Sequence, residues 1–198
     1  SDETDFEGIC FKNKLGVQKA HDQEPLRALN FAMAQGGANL SISKDTGIEG
    51  LELLFIFTGN NKNVCHIKNN IALEDGVDFS IFTSFLSPND IGWVNISTQI
   101  NIPKNSSLIH MGDLGIGAKS FLTAEAVISI HGGAYENHSL LRNSGSARHL
   151  INVDVLGENS NIYLNGAFLA GNNETLDTLT RLNHIVPNSN SEQNYRGV

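Results

Sequence analysis

The sequence predicts a mostly β chain wound as a parallel β-helix, with one short α-helix near its N-terminus. Three observations carry that prediction. Ile71, Ile100, Ile128, Val153 and Leu182 each sit in a short alternating strand, and the intervals between them are 29, 28, 25 and 29 residues. Each strand is followed by a turn rich in Gly, Asn, Asp or Ser, as in Ile71–Gly76 and Val153–Asn159. The polar share of the chain is carried by 24 Asn and 17 Ser, while charged residues are only 17%, against a usual value of about 25%. A coil of two or three strands with their turns takes about 25 residues, and parallel stacking sets equivalent side chains about 4.8 Å apart. Inward positions then call for Val, Ile, Leu and Phe, and the turns accept stacked Asn and Ser. Strands of ordinary sandwiches recur at about 8–12 residues; a jelly roll or another sandwich is the alternative architecture.

Taken in order, residues 1–20 are acidic and then basic and read as an edge segment or arm. Asp22 to Ala34 is the one helix. Asp22 supplies a cap, Pro25 lies in the first turn, and Gly36-Gly37 ends it. Leu26, Leu29 and Met33 fall on one stripe, expected to pack on the rest of the domain; Phe31 is a further apolar position. From Ala38 the period becomes two, with Leu40 and Ile42 alternating with Ser41 and Ser43. Leu51 to Phe57 reads as a buried strand or strand pair. Further strands are expected at Ile67–Leu73, Phe79–Phe85, Val94–Ile102, Ser107–Ile109, Ala126–Ile130, Leu150–Leu156, Asn161–Leu169 and Leu179–Val186. Residues 1–37 therefore form an arm and flanking helix, and residues 38–198 the β-helix core.

At 198 residues the chain buries about 70% of its unfolded surface, enough for a core without staples. Thirteen basic against 21 acidic residues give a net charge of −8, which excludes the basic stripe of a nucleic-acid binder and a polybasic membrane contact. The longest apolar run, Leu51 to Phe57, is interrupted by Glu52 and far short of the roughly 20 residues of a membrane-spanning helix. Cys10 and Cys65 form no CxxC pair, which favours a reducing, intracellular setting. The sequence begins at Ser1, and no apolar leader follows it.

Local motifs for chemistry are missing. The seven histidines, His21, His66, His110, His131, His138, His149 and His184, make no HxH or HExxH pattern. Cys65 and His66 are adjacent, so in a strand they point to opposite faces and do not share a metal. Gly112 to Gly117 is glycine-rich but has no Lys-Ser or Lys-Thr after it, and reads as a loop. A polysaccharide lyase or hydrolase on a β-helix needs clustered carboxylates; Glu125, Asp154 and Asp177 would approach one another only in a favourable register. No residue is assigned as catalytic, cofactor-binding or metal-binding.

The end of the chain carries a longer pattern. Asp177, Thr180, His184, Pro187, Ser191, Gln193, Gly197 and Val198 match, in order and spacing, an Asp, a Thr-bearing strand, a His, a Pro, a Ser-x-Gln and a Lys-Gly-Val, with Arg196 where Lys is common. Upstream stand Leu29-Asn30-Phe31-Ala32, then Gly36-Gly37-Ala38-Asn39-Leu40 with Ile42, and later Leu156-Gly157 and Leu164-Asn165-Gly166. Together these resemble the SufB/SufD family, the SufD branch more than the SufB branch, over residues 26–198. The resemblance implies a right-handed parallel β-helix acting in SUF iron–sulfur cluster assembly, paired with SufB and engaged by the ATPase SufC in the cytoplasm. It implies a scaffold component and not an enzyme, with a β-helix carbohydrate-active enzyme or a plain β-solenoid binding protein as the alternatives. It also implies further coils and a helical domain beyond the signature, which the sequence, stopping at Val198, does not include.

Two expectations follow. With Cys10 and Cys65 as the only thiols, against the four ligands a cluster usually takes, the isolated chain is expected to bind no cluster, the parent complex handling it. A β-helix ending at Leu179–Val186 leaves unpaired backbone groups and an open apolar interior. The polar tail from Asn188 to Arg196, or a second copy of the chain in a homodimer, is expected to cover that end.

Overall fold

The computed structural model describes residues 3–6, 9–12, 24–60, 62–142 and 144–198, with backbone only at 3–6 and 10–12. In chain order the elements are β1 (Glu3–Phe6), β2 (Ile9–Lys12), α1 (Pro25–Met33), β3 (Asn39–Ile42), β4 (Gly50–Ile56), β5 (Val64–Leu73), β6 (Asp78–Leu86), β7 (Trp93–Ile102), β8 (Ser107–Leu114), β9 (Gly117–His131), β10 (Ala134–Arg142), β11 (Ser144–Gly157), β12 (Asn161–Leu169), β13 (Thr175–His184) and β14 (Asn190–Gly197). They build two sheets. One runs β1-β2-β3-β5-β7-β9-β11-β13 and the other β4-β6-β8-β10-β12-β14. From β3 onward every neighbour pairs in parallel; β1 and β2 form an antiparallel edge, with β2 antiparallel to β3. From β3 onward successive strands alternate between the sheets, so this part of the chain is a parallel β-solenoid.

The repeat legible in the sequence is a row of the first sheet. Leu40, Ile71, Ile100, Ile128, Val153 and Leu182 are directly paired from strand to strand. All but Leu182, which is half-buried, belong to the main apolar cluster, together with Phe79, Leu108, Tyr135 and Ile162 of the other sheet. A second cluster, including Val94, Leu114, Ile116, Leu122 and Leu141, lies at the other end of the strands. The turns stack as well. Asn105, Asn159 and Asn188 adopt φ of 57°, 61° and 59°, and Gly76 and Gly132 take the same place in neighbouring coils with φ of 80° and 97°. Asparagine and glycine tolerate this left-handed region best. Beside them Ser106 Oγ accepts from the backbone N–H of Gly76 and Val77, Ser160 Oγ from Gly132, and Ser189 Oγ from Ser160. The Asn and Ser excess is thus the chemistry of the stacked turns.

Several local expectations are corrected. The helix is Pro25–Met33, and Glu24 precedes it without a side-chain cap; the expected cap, Asp22, lies outside the described residues. Leu26, Leu29 and Met33 are exposed, at 37%, 38% and 52%, while Asn30 is fully buried. The outer sheet face under the helix is polar, so a polar helix face docks: Asn30 Nδ2 donates to the carbonyls of Ile67 and Asn95, both at 2.8 Å. Lys68 Nζ lies 4.2 Å from the Phe31 ring centroid. The run from Leu51 is an edge strand of the second sheet, with Leu54 and Ile56 facing out. Gly112 belongs to β8 and is not in a loop. The polar tail is itself a strand, β14, parallel to β12. The strand expected at Ala126–Ile130 is the 15-residue β9.

Candidate functional site

The terminal coil, β13 and β14, differs from those before it. Register places Thr178, Thr180, Leu182 and His184 on His149, Ile151, Val153 and Val155. Ser191, Gln193, Tyr195 and Gly197 stack on Ile162, Leu164, Gly166 and Phe168. The interior side therefore turns from largely apolar to largely polar within one coil. Its polar groups pair across the solenoid: Thr180 Oγ1 donates to Gln193 Oε1 at 2.6 Å, and His184 Nε2 lies 3.1 Å from Ser191 Oγ. Thr180, His184, Ser191 and Gln193, four positions of the C-terminal pattern, thus form two cross-sheet pairs over the end of the core. The tail, expected to fold over the open end, instead forms the last rung as β14, and Leu182, Val186 and Tyr195 lie half-buried against the main cluster.

The remaining pattern residues have separate tasks. Asn188, after Pro187, makes the left-handed turn, and its carbonyl accepts from Asn159 N at 2.9 Å. Gly197 faces the Phe168 ring so closely that any Cβ would collide with it, and Gly166 stands the same way against Tyr195. Burial pushes the Tyr195 hydroxyl up to about 12, and its oxygen has no partner. Asp177 points outward, its Oδ2 3.7 Å from Arg148 Nε. Beyond β13 and β14 neither sheet continues among the described residues, so both strands present an edge able to accept a further strand.

Helix α1 is tied across the same side of the molecule. Arg27 Nε donates to Glu125 Oε2 at 2.6 Å, and its Nη2 to Oε1, the pair being only 11% exposed on each side. Asn152 Nδ2 adds a bond to Glu125 Oε1 at 2.8 Å. Glu24 pairs with Arg181 on β13. The helix thereby reaches β9 through Arg27, and Glu24 just before it reaches β13, while Asn152 of β11 joins the Glu125 carboxylate.

The carboxylates weighed for catalysis stay apart. Glu125 is held by Arg27 and Asn152, Asp154 accepts from Asn183 Nδ2 at 2.8 Å, and Asp177 faces Arg148. Along the strands, Glu125 pairs with Leu150, four residues and thus about 13 Å from Asp154. Cys65 packs inward on the second cluster, where burial raises its thiol pKa, while His66 points outward against Trp93 with ring centroids 5.4 Å apart. Among the described residues no three His, Cys, Asp or Glu side chains gather as a metal site, and no helix is long and apolar enough to cross a membrane. Sequence reading missed one pair: His149 is buried at 6% exposure and His110 half-buried beside it, both facing inward, and burial lowers each to about 4. Only the alternation of Leu108 with His110 and of Ala147 with His149 signals that they face inward.

The family described as "SUF system FeS cluster assembly, SufBD core domain" matches residues 55–198. The chain is 24% identical over 193 residues to the iron–sulfur cluster assembly protein SufD of Escherichia coli K12, an alignment covering 94% of this chain and 45% of that protein. It therefore spans less than half the length of that relative.

Proposed function

Because the chain belongs to the SufB/SufD family of SUF iron–sulfur cluster assembly proteins, we propose that it serves as a SufD-like scaffold subunit in the cytoplasm, working with SufB and the SufC ATPase. The observation that carries this reading is the extent of the family match, which takes in the solenoid from the end of β4 to β14. The geometry supports an assembly role: a continuous parallel stack, two strand edges left unpaired among the described residues at one end, and carboxylates held in separate contacts. Edge pairing is a common way for extended backbone to recruit a partner. The same edges suit a second copy of the chain when SufB is absent.

Capture tests the reading. The tagged chain, in its longest natural form, is expected to retain purified SufB, with light scattering giving the mass of one copy of each. Without SufB, the mass is expected to rise toward a dimer over a tenfold concentration range. Failure to retain SufB, together with cleavage of an acidic polysaccharide, would instead favour the β-helix enzyme.

The iron–sulfur cluster is then cargo of the complex and not a resident group of this chain. Anaerobic reconstitution of the isolated chain is expected to give no cluster-like visible absorption. A stable band that disappears in Cys65→Ser would reject that expectation.

A further inference from the structure

Inside the solenoid, between the two apolar clusters, lies a small polar chamber of about 40 Å³. Thr83, Thr98, His110, Asn137, Ser139 and His149 bring polar groups to it from five strands and both sheets. Ala124 leaves space where its neighbour one coil earlier is Ile96, and Gly112 contributes no side chain. Some of the lining is already satisfied. His110 Nε2 is 3.2 Å from Thr83 Oγ1 and its Nδ1 is 3.3 Å from the Tyr135 hydroxyl. Thr98 Oγ1 accepts from Asn69 Nδ2 at 3.1 Å.

Among the described residues three polar groups of the lining have no partner, and the third, beside the two that follow, is the Ser139 hydroxyl. Asn137 is 3% exposed; its Nδ2 donates to the His110 carbonyl, while Oδ1 has no partner. His149 is 6% exposed and its ring makes no hydrogen bond among the described residues. A buried polar group left unpaired costs roughly 1–3 kcal/mol. Water enters a cavity once it offers room for about one probe sphere, ~10–15 Å³, and two to four polar partners; cavities that stay dry are apolar. This chamber exceeds the volume requirement and supplies the partners.

We propose that the chamber is an internal water site, holding one or two water molecules bound to His149, Asn137 and Ser139. Water can donate to Asn137 Oδ1 and meet either tautomer of His149, which no side chain in the chamber does. The bound water thus lets the solenoid keep polar side chains in the gap between its apolar clusters.

Oxygen-17 relaxation dispersion on the full chain at neutral pH counts long-lived internal water. The native chain is expected to show it, and Ser139→Val, whose methyls enter the chamber, to lose the corresponding amplitude. The ring nitrogen shifts of His149 are expected to move in the same variant as it loses its partner. Ala124→Val fills the space from the opposite sheet and replaces Ser139→Val should that variant not fold. No long-lived water in the native chain, or an amplitude and His149 shifts unchanged in the filled variant, overturns the proposal.

Discussion

Lowering the pH from about 6.5 to 4 is expected to destabilise the fold by several kcal/mol, and His110 and His149 are expected to account for much of the loss. Burial holds both neutral in the folded state, with pKa lowered to about 4, and the proximity of His110 depresses His149 further. In the unfolded chain each titrates near 6.5, so over this window the unfolded state binds more protons and stability falls with pH. The full effect is on the order of 3 kcal/mol for the buried His149 and smaller for the half-buried His110; it is absent above pH 6.5 and complete below 4. The other titratable groups around the pair are the Tyr135 hydroxyl, which stays neutral throughout, and Glu125, which is committed to Arg27. Urea unfolding at pH 7, 6, 5 and 4.5 measures the slope. His149→Leu is expected to be flatter than the native chain over that range. Equal slopes for the two would mean that acid acts elsewhere.

Gly157→Ala is expected to be among the most damaging single methyl additions, at roughly 3 kcal/mol and a melting temperature lower by about 10 °C. Gly157 ends β11 at a register irregularity against His131. A Cβ there would overlap the carbonyl carbon of His131 and the amide nitrogen of Gly132. Both are backbone atoms of the adjacent coil, so no side-chain rotation relieves the clash, and the two coils must part. Gly76→Ala is the contrast: its φ is 80° but a Cβ would meet nothing within 4 Å. It carries the left-handed backbone cost alone, and its melting temperature is expected to fall less. A Gly157→Ala protein melting with the native chain would show that the coils slide freely.

The C-terminal pattern was legible in the sequence as a list of residue types, but its purpose was not. Thr180 and Gln193 are 13 residues apart on strands of different sheets, and His184 and Ser191 flank the turn that joins them. Their pairing appears only when the turn at Pro187–Ser189 brings the sheets face to face. The same holds for Glu125, which the sequence offers only as one of three scattered carboxylates and which proves to be the partner of Arg27, 98 residues away.

By itself the sequence determined the winding. The recurrence from Ile71 to Leu182 became one paired row, because in a parallel stack a residue's inward neighbour is the residue one coil later, and each coil must bury an apolar side chain at that place. It also determined the turns, because Asn and Gly are the residues that accept a left-handed backbone, and that preference is local. Only the tertiary structure decided which face of α1 would be buried. Helical periodicity singles out Leu26, Leu29 and Met33, yet the surface that receives the helix offers carbonyls of β5 and β7 and the carboxylate of Glu125. Asn30 and Arg27 therefore dock, and the apolar stripe stays outside. Only the tertiary structure likewise brought His110 and His149 together around one chamber. A preference carried by a single residue can be read along the chain; a hydrogen bond or cavity shared across coils depends on register and sheet spacing, which no local pattern records.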